Sequence, residues 1–458
     1  MVEFNPSSSA HISLLLFGGK IKDSRIEPVL GEDGEPCIIK SGKNKGQVKT
    51  HKVLFERKVK GLGLEPKKAW KTAKDGVYST KEEVLSEINN ADFDVCCPNA
   101  DEAIKIASCM LKIRELTKQI QTYYTGVEEL IYAFDSCVHA SFQHVSTDTS
   151  RLSCNKPNIQ NVPTGYSNIK QHFCSRFENG RIVSADYSQL EIRIQAQLCQ
   201  DQSFINDILC GIDFHIKRVA LKEGRAYEEI KAEVDAGNSD TIHARSSAKA
   251  FSFARAYGAG TKKISQQTGL TEEEVQTLIE NEDKAYPRLK LFNDWNLEVV
   301  NRQGWYKDPF GRRYAFKKYP SKVYWKKEES YSPTEVKNYL IQGFATGTIV
   351  PIMIGKFWRD KAIHNRHIRC EHPHKFIVRP MQWCSRCNDT GFYDKYLMIN
   401  TVHDSLMLDV MPEYVENARK DLTILEDVGK LALQVFNYQF NVPIKIDLAE
   451  GETWYECK

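Results

Sequence analysis

The chain has 458 residues, 41% of them hydrophobic and 27% charged, the composition of a soluble globular protein large enough to bury cores in two or three subdomains. Its formal charge of +3 is too small to argue for nucleic acid by itself, so where the charge sits matters more than its total. The longest apolar run near the N-terminus, Leu14 to Phe17, is far too short for a membrane span or a signal sequence, and thirteen cysteines without a disulfide rhythm suit a reducing, cytoplasmic setting.

In chain order, residues 19–48 are rich in Gly, Lys and Glu and read as a mobile, solvent-exposed region. Between Lys40 and Lys74 twelve Lys or Arg stand against two acids, Glu56 and Glu65. From Asp101 to Tyr123 the apolar residues Ile104, Ile106, Met110, Leu111, Ile113, Leu116 and Ile120 recur at helical spacing. The polar stretch Val145 to Pro163, with Pro157 and Pro163, predicts irregular structure. Arg181 to Ala185 reads as a short buried strand ending at Asp186, followed by a helix from about Gln189. Residues 243–258 form a second strong helix candidate. Between Arg302 and Lys327 nine cations face only Asp308 and alternate with aromatics such as Trp305, Tyr306, Phe310 and Tyr314. That mixture suits a phosphate backbone and stacked bases better than plain solvent. Leu397 to Val402 and Ser405 to Val410 look like two strands around a tight His403-Asp404 turn.

Asp186 and Asp404 therefore both fall at strand ends, where side chains from distant parts of the sequence can converge. An aspartate there is costly to bury unless it is paired or holds a metal. Each also suits a plainer role, Asp186 as a helix N-cap and Asp404 as a turn residue. In the second helix Arg245, Lys249, Phe253 and Tyr257 recur every four residues and share one face. Two cations followed by two aromatics match the order of groups in a nucleoside triphosphate, phosphates first and then sugar and base. An amphipathic surface helix is the alternative.

Three segments resemble, in order, the three motifs of family A DNA polymerases: Asp186–Arg193 (DYSQLEIR), Arg245–Gly258 (RSSAKAFSFARAYG) and Thr401–Ser405 (TVHDS). Between and before them, Thr147–Pro163 is similar to the family's template-primer segment, Gly311-Arg312-Arg313 to a basic turn after the fingers, and Asn338–Gly343 to a minor-groove helix. Phe4–Ser8 and Lys71–Leu85 resemble parts of the thumb. Only residues 19–60 and 364–395 lie outside the likeness.

The resemblance implies an α+β right hand with an antiparallel-sheet palm, helical fingers and a helical thumb. The thumb would occupy 1–145, the palm 146–212 and 337–458, and the fingers 213–336, with an insertion at 364–395. It also implies template-directed DNA synthesis on primer-template DNA from dNTPs. Asp186, Asp404 and the backbone carbonyl of Tyr187 would hold two Mg²⁺ ions, about 3.5–4 Å apart, with Mn²⁺ able to substitute. Arg245 and Lys249 would grip the phosphates, with Lys249 the acid for pyrophosphate. Phe253 would pack on the sugar, Tyr257 would sit beside the insertion pocket, and His215 and Gln189 would lie near the nucleotide. Glu191, with Phe253, would exclude a ribose 2′-hydroxyl. Arg151, Gln342 and His403 would read the minor groove of the primer-template end, with Asn338 and Arg312 as further DNA contacts.

The sequence departs from the family in three places. Ser405 stands where most members have Glu after the third-motif Asp, an arrangement shared with phage-type single-subunit RNA polymerases. Glu191 and Phe253 favour DNA synthesis over that alternative, and intact Asp186, Asp404, Lys249 and Arg245 argue against a catalytically silent DNA-binding subunit. The first thumb helix and any exonuclease segment are missing ahead of Phe4. That implies a separate chain supplying them, or one half of a split polymerase, with no proofreading of its own; the compact palm motifs, NYLIQGFATG in particular, look phage-like, as of an enzyme in a host cytoplasm. Finally, the 364–395 insertion carries Cys370, His372, His374, Cys384 and Cys387. Cys370, His372, Cys384 and Cys387 would suit a structural Zn²⁺, with His374 an equal rival to His372.

Overall fold

The structure, a computed structural model, describes residues 4–42, 44–73, 76–90, 99–163, 168–256, 260–320, 329–370 and 392–457. Much of the larger part is built on the strand Arg181–Tyr187. It lies inside a four-stranded antiparallel sheet, with Ser405–Val410 and then Tyr396–Val402 on one side and Ile446–Gly451 on the other. Residues two apart on a strand share a face. Val183, Ala185 and Tyr187 therefore enter the main core with their cross-strand partners Leu406 and Leu408, while Asp186 lies on the opposite face.

A long helical run closes that core. It passes through Pro333–Gln342, a wide turn at Gly343–Ile349 and Val350–Asp360. Phe344, Phe357 and the strand residue Tyr396 are fully buried there, each contributing about 1.5–3 kcal/mol of hydrophobic stabilisation. Pro333–Asn365 is long and apolar enough to cross a membrane by length and composition, but 72% of its most apolar window is buried inside the protein. Pro351 has no N–H to give the carbonyl four residues back, that of Gly347. That oxygen instead accepts from Arg312 Nη1 at 2.7 Å.

The chain divides into two compact units, Met1–Glu129 and Leu130–Lys458, so the division precedes the expected thumb boundary at 145. In the first unit the expected helix runs Ala100–Lys118, continuing in a wider turn at Gln119–Thr125. It packs with Glu82–Asn89 and Ser9–Phe17 around Ile12, Leu16, Leu85 and Ile88. Residues 19–48 differ from expectation. Gly19–Pro28 pairs in register with Thr50–Val59 as a ten-residue antiparallel ribbon, and Leu30↔Pro36 and Ile38↔Val48 bridge beyond it. Its Lys and Glu residues hid an alternation that two-sided exposure does not require to be apolar.

In the second unit, Val145 to Pro163 is largely irregular as expected, with a short strand at Ser153–Asn155 and one helical turn at Ile159–Asn161. The 364–395 insertion leaves and returns through paired residues, Ile368↔Tyr393 and Arg369↔Phe392. Cys370 is buried at this stem, whereas His372, His374, Cys384 and Cys387 lie outside the described residues.

Gly347 is required by contact. A Cβ on Gly347 would lie 2.1 Å from the Thr149 carbonyl oxygen, in the segment that carries Arg151. Gly347→Ala is expected to cost about 1–3 kcal/mol through overpacking, measured as a shift in the urea midpoint of this unit.

Candidate active site

Asp186 reaches its position because the strand ends one residue later, at Tyr187; Gln189 then takes a left-handed conformation (φ +51°) and Leu190–Cys199 begins as a helix. Its cross-strand neighbours are Ser405 on one side and Asp447 on the other. Asp404 sits in the two-residue turn before Ser405, with His403 supplying the left-handed residue (φ +56°). The turn is pinned by two hydroxyls: Thr401 donates to the Ser405 carbonyl at 2.8 Å, and Ser405 to the Val402 carbonyl at 3.0 Å. The Tyr187 N–H donates to the Asp404 carbonyl at 3.3 Å, tying the hairpin tip to the end of the central strand.

The electrostatics follow from this crowding. Protein packed around Asp186 desolvates its carboxyl, although solvent still reaches it, and the like charges of Asp404 and Asp447 add repulsion. Together they push the carboxyl up to about 7. Burial also raises Asp404, opposed by its own backbone N–H and by Arg151. Burial is the main cause raising Glu191 as well; Arg151 and a hydrogen bond with Gln342 act against it. The Arg151 guanidinium lies 3.7 Å from Glu191 and donates to the Thr346 hydroxyl at 3.0 Å. His403 is held below its ordinary value by desolvation and by Arg151, so its imidazole is neutral at pH 7. Gln342 is buried, and Gln160 donates to the Thr401 carbonyl at 3.1 Å, which fastens the 153–163 segment to the hairpin.

Asp186, Glu191, Arg151, Gln342, His403 and Asp404 thus form one group. His215, Arg245 and Lys249 form a second. The helix Ser239–Ala256 buries Ala248, Phe251 and Ala254, with Asn238 capping its start by accepting from the N–H groups of Asp240 and Thr241. Arg245 donates twice to Asp213, through Nε at 3.1 Å and Nη2 at 2.7 Å. Asp213 in turn caps the helix Phe214–Glu223, accepting from the N–H groups of His215 and Ile216. Desolvation and then Arg218 press His215 down to about 4; Asp213 opposes them, and Arg245 and Lys249 add smaller effects in the lowering direction. Tyr257 lies outside the described residues, as does the side chain of Phe253.

Two expected DNA contacts are placed differently from one another. Asn338 is half-buried on the helix before Gln342. The Arg312 guanidinium binds the Gly347 carbonyl and the Ser150 hydroxyl, so part of its donor capacity joins two protein segments.

Sequence reasoning missed Asp447 and Asp213. Asp447 sits among alternating Ile444, Ile446 and Leu448, a period-two signal that could have marked its strand. Asp213 directly precedes an apolar helical pattern, an N-cap signal.

The donors could hold a hard divalent cation. Among the described residues no group of three or more His, Cys, Asp or Glu is poised to hold a metal ion. Two carboxylates short of compensating cations, leaving places for substrate oxygens and water, are the donor set magnesium ordinarily takes.

Residues 38–456 match the model of DNA polymerase family A. Over 96% of this chain it is 26% identical to DNA polymerase I of Bacillus subtilis, covering 42% of that protein. Over 89% of this chain it is 26% identical to the thermostable DNA polymerase I of Thermus aquaticus, covering 41%. The chain thus spans less than half the length of these relatives. Its fold is similar to the POL domain of Pol1 from M. smegmatis, solved in complex with DNA primer-template and dNTP. That match has a TM-score of 0.60 at 17% identity, over 84% of this chain and 57% of that one.

Because His215 titrates lower in the folded protein than when unfolded, the unfolded chain binds more protons between about pH 4 and 6.5. Its contribution to stability is expected to be intact above about pH 6.5 and to fall as pH drops toward 4. A His215→Gln variant should flatten that part of the stability profile, and NMR titration should find the wild-type imidazole neutral at pH 5.5.

Proposed function

The chain belongs to DNA polymerase family A, and from that membership we propose that it is a template-directed DNA polymerase adding deoxynucleotides to a primer 3′-hydroxyl. The observation that carries the proposal is the meeting of Asp186 and Asp404 across the palm sheet, with Glu191, Arg151, Gln342 and His403 around them.

Asp186 and Asp404 would hold the Mg²⁺ ions, with the Tyr187 carbonyl as third protein donor. Tyr187 suits that task because its side chain is anchored in the core, its hydroxyl donating to the Leu425 carbonyl at 3.0 Å. When bound, the ions make the primer hydroxyl more acidic and neutralise charge on the triphosphate.

The remaining work falls to the protein's own groups. Arg245 and Lys249 bind the β- and γ-phosphates, and Lys249 delivers a proton to the departing pyrophosphate. Asp213 holds the Arg245 guanidinium in place beforehand, which reduces the side-chain entropy lost when phosphate arrives. His215, neutral between those cations, can donate one hydrogen bond to the triphosphate without adding a third charge.

Glu191 excludes the ribose 2′-hydroxyl together with Phe253, and Tyr257 borders the insertion pocket. Arg151 and Gln342 hold the Glu191 carboxylate in position. Arg151, Gln342 and His403 are donors suited to the minor-groove acceptors that every correct pair presents alike. The palm comprises the segments around the four-stranded sheet, the fingers the helices between residues 213 and 336, and the thumb the N-terminal unit.

Primer extension tests this reading. The wild type should incorporate dNTPs and not NTPs. Asp404→Ala and Asp186→Ala should each lose at least about a thousandfold in rate while binding primer-template normally. Wild-type extension with NTPs, or an undiminished Asp404→Ala enzyme, would reject it. Glu191→Ala should raise ribonucleotide incorporation by about tenfold or more, and unchanged sugar discrimination would remove the role given to Glu191.

A further inference from the structure

The ribbon Gly19–Pro28/Thr50–Val59 lies outside the hydrophobic cluster of its own N-terminal unit. No described residue from 19 to 60 belongs to that cluster, and Ile26 and Leu54 are 75% and 68% exposed. The chain leaves helix Ser9–Phe17 at Gly18 and returns at Gly61, both with positive φ. A Cβ on Gly61 would meet Gly18 N and the Leu14 carbonyl at 2.5 Å, so the two ends of the arm are clamped together. Leu62 N–H donates to the Leu15 carbonyl at 2.8 Å, and the fold resumes as though the arm were absent. An isolated two-stranded ribbon is marginal in water, and such an arm calls for a surface to lie on.

Charge identifies that surface. By sequence, residues 19–60 hold eleven Lys or Arg and six Asp or Glu, a net +5. The whole chain holds 63 and 60, so everything outside the arm has 52 against 54, a net −2. The excess positive charge of the protein is thus gathered in an appendage of fewer than fifty residues. Lys20 and Arg25 pair with Glu56 and Glu27, whereas Lys52, Arg57 and Lys58 enter no ion pair among the described residues. In the strand register Lys20 and Lys58 are directly opposed, and Ile26 opposes Lys52. Like charges facing each other cost stability in a sheet unless an anion lies across them.

We propose that this ribbon is a duplex-binding arm, its cations lying on the phosphate backbone of double-stranded DNA. The width of a two-stranded ribbon suits the major groove, and exposed Ile26 and Leu54 beside the cations can pack on sugar edges. The inference rests on nucleic acid being the partner of this chain, but its readout is binding and not synthesis, so the two can fail separately.

The test uses the full chain and a fluorescein-labelled 30-base-pair blunt duplex, followed by anisotropy between 50 and 200 mM salt. The triple variant Lys52→Glu, Arg57→Glu, Lys58→Glu should bind at least about tenfold more weakly at the low-salt end. Its slope of log affinity against log salt should be shallower by about 3, since each phosphate contact contributes about 0.9. A variant with residues 20–59 replaced by Gly-Ser should behave the same, with thermal unfolding of the helical unit retained. Lys231→Glu, Lys420→Glu, Lys430→Glu, of equal charge change elsewhere, should stay within about twofold of wild type. Unchanged affinity and slope in the arm variants would overturn the proposal and leave the exposed aliphatic residues to a protein partner. An equal loss in the control triple would overturn it as well, because the effect would then be overall charge.

Discussion

The structure of the larger unit depends on holding like charges together at one end of a sheet. Asp404 and Asp447 each repel Asp186, and that proximity raises the free energy of the folded chain when no cation is present. The register of four strands opposes that cost. Val183 and Ala185 meet Leu408 and Leu406 in a fully buried layer on the other face. A slip of one residue would turn that layer outward and carry Asp186 into the core, so the apolar face fixes where the carboxylate stands. The hydroxyls of Thr401 and Ser405 then set the hairpin tip, and the N–H of Tyr187 completes its attachment. Ser405 thereby has a structural role at the place where a longer acid would reach outward.

The cationic helix meets the same difficulty with the opposite sign. Arg218, Arg245 and Lys249 are close enough that each disfavours charge on His215. Two devices relieve it. His215 gives up its proton, and carboxylates are interposed: Asp213 against Arg245, and buried Glu282 between Arg218 and Arg255. A buried carboxylate facing two guanidinium groups is sustained by their combined field and hydrogen bonds, and removing either arginine would leave it undercompensated. The positive field near the helix is thus positioned by the protein while Lys249 remains exposed and available.

Charge is also segregated between parts of the chain. The net positive charge resides in the ribbon, and the remainder is slightly acidic. This is compatible with a protein whose attraction for polyanions is directed to particular surfaces, and it explains why the total of +3 says so little.

Local pattern determined a good deal by itself. The strand around Val183, the Leu190–Cys199 helix, the helix carrying Arg245 and Lys249, and the 403–404 turn are all legible, because each rests on a period of two or of 3.6 residues or on turn chemistry within a few residues. The motif residues could be chosen for the same reason. The ribbon was not legible, since a strand pair exposed on both faces needs no apolar alternation. Asp447 and Asp213 were not legible as partners either: opposing Asp186 across a sheet, or clasping an arginine 32 residues away, are matters of register and helix packing. The sequence by itself chose which groups carry the chemistry and on which local element each sits. Only tertiary structure decided which of them share a field, because Coulomb and desolvation effects depend on distance through space and not along the chain.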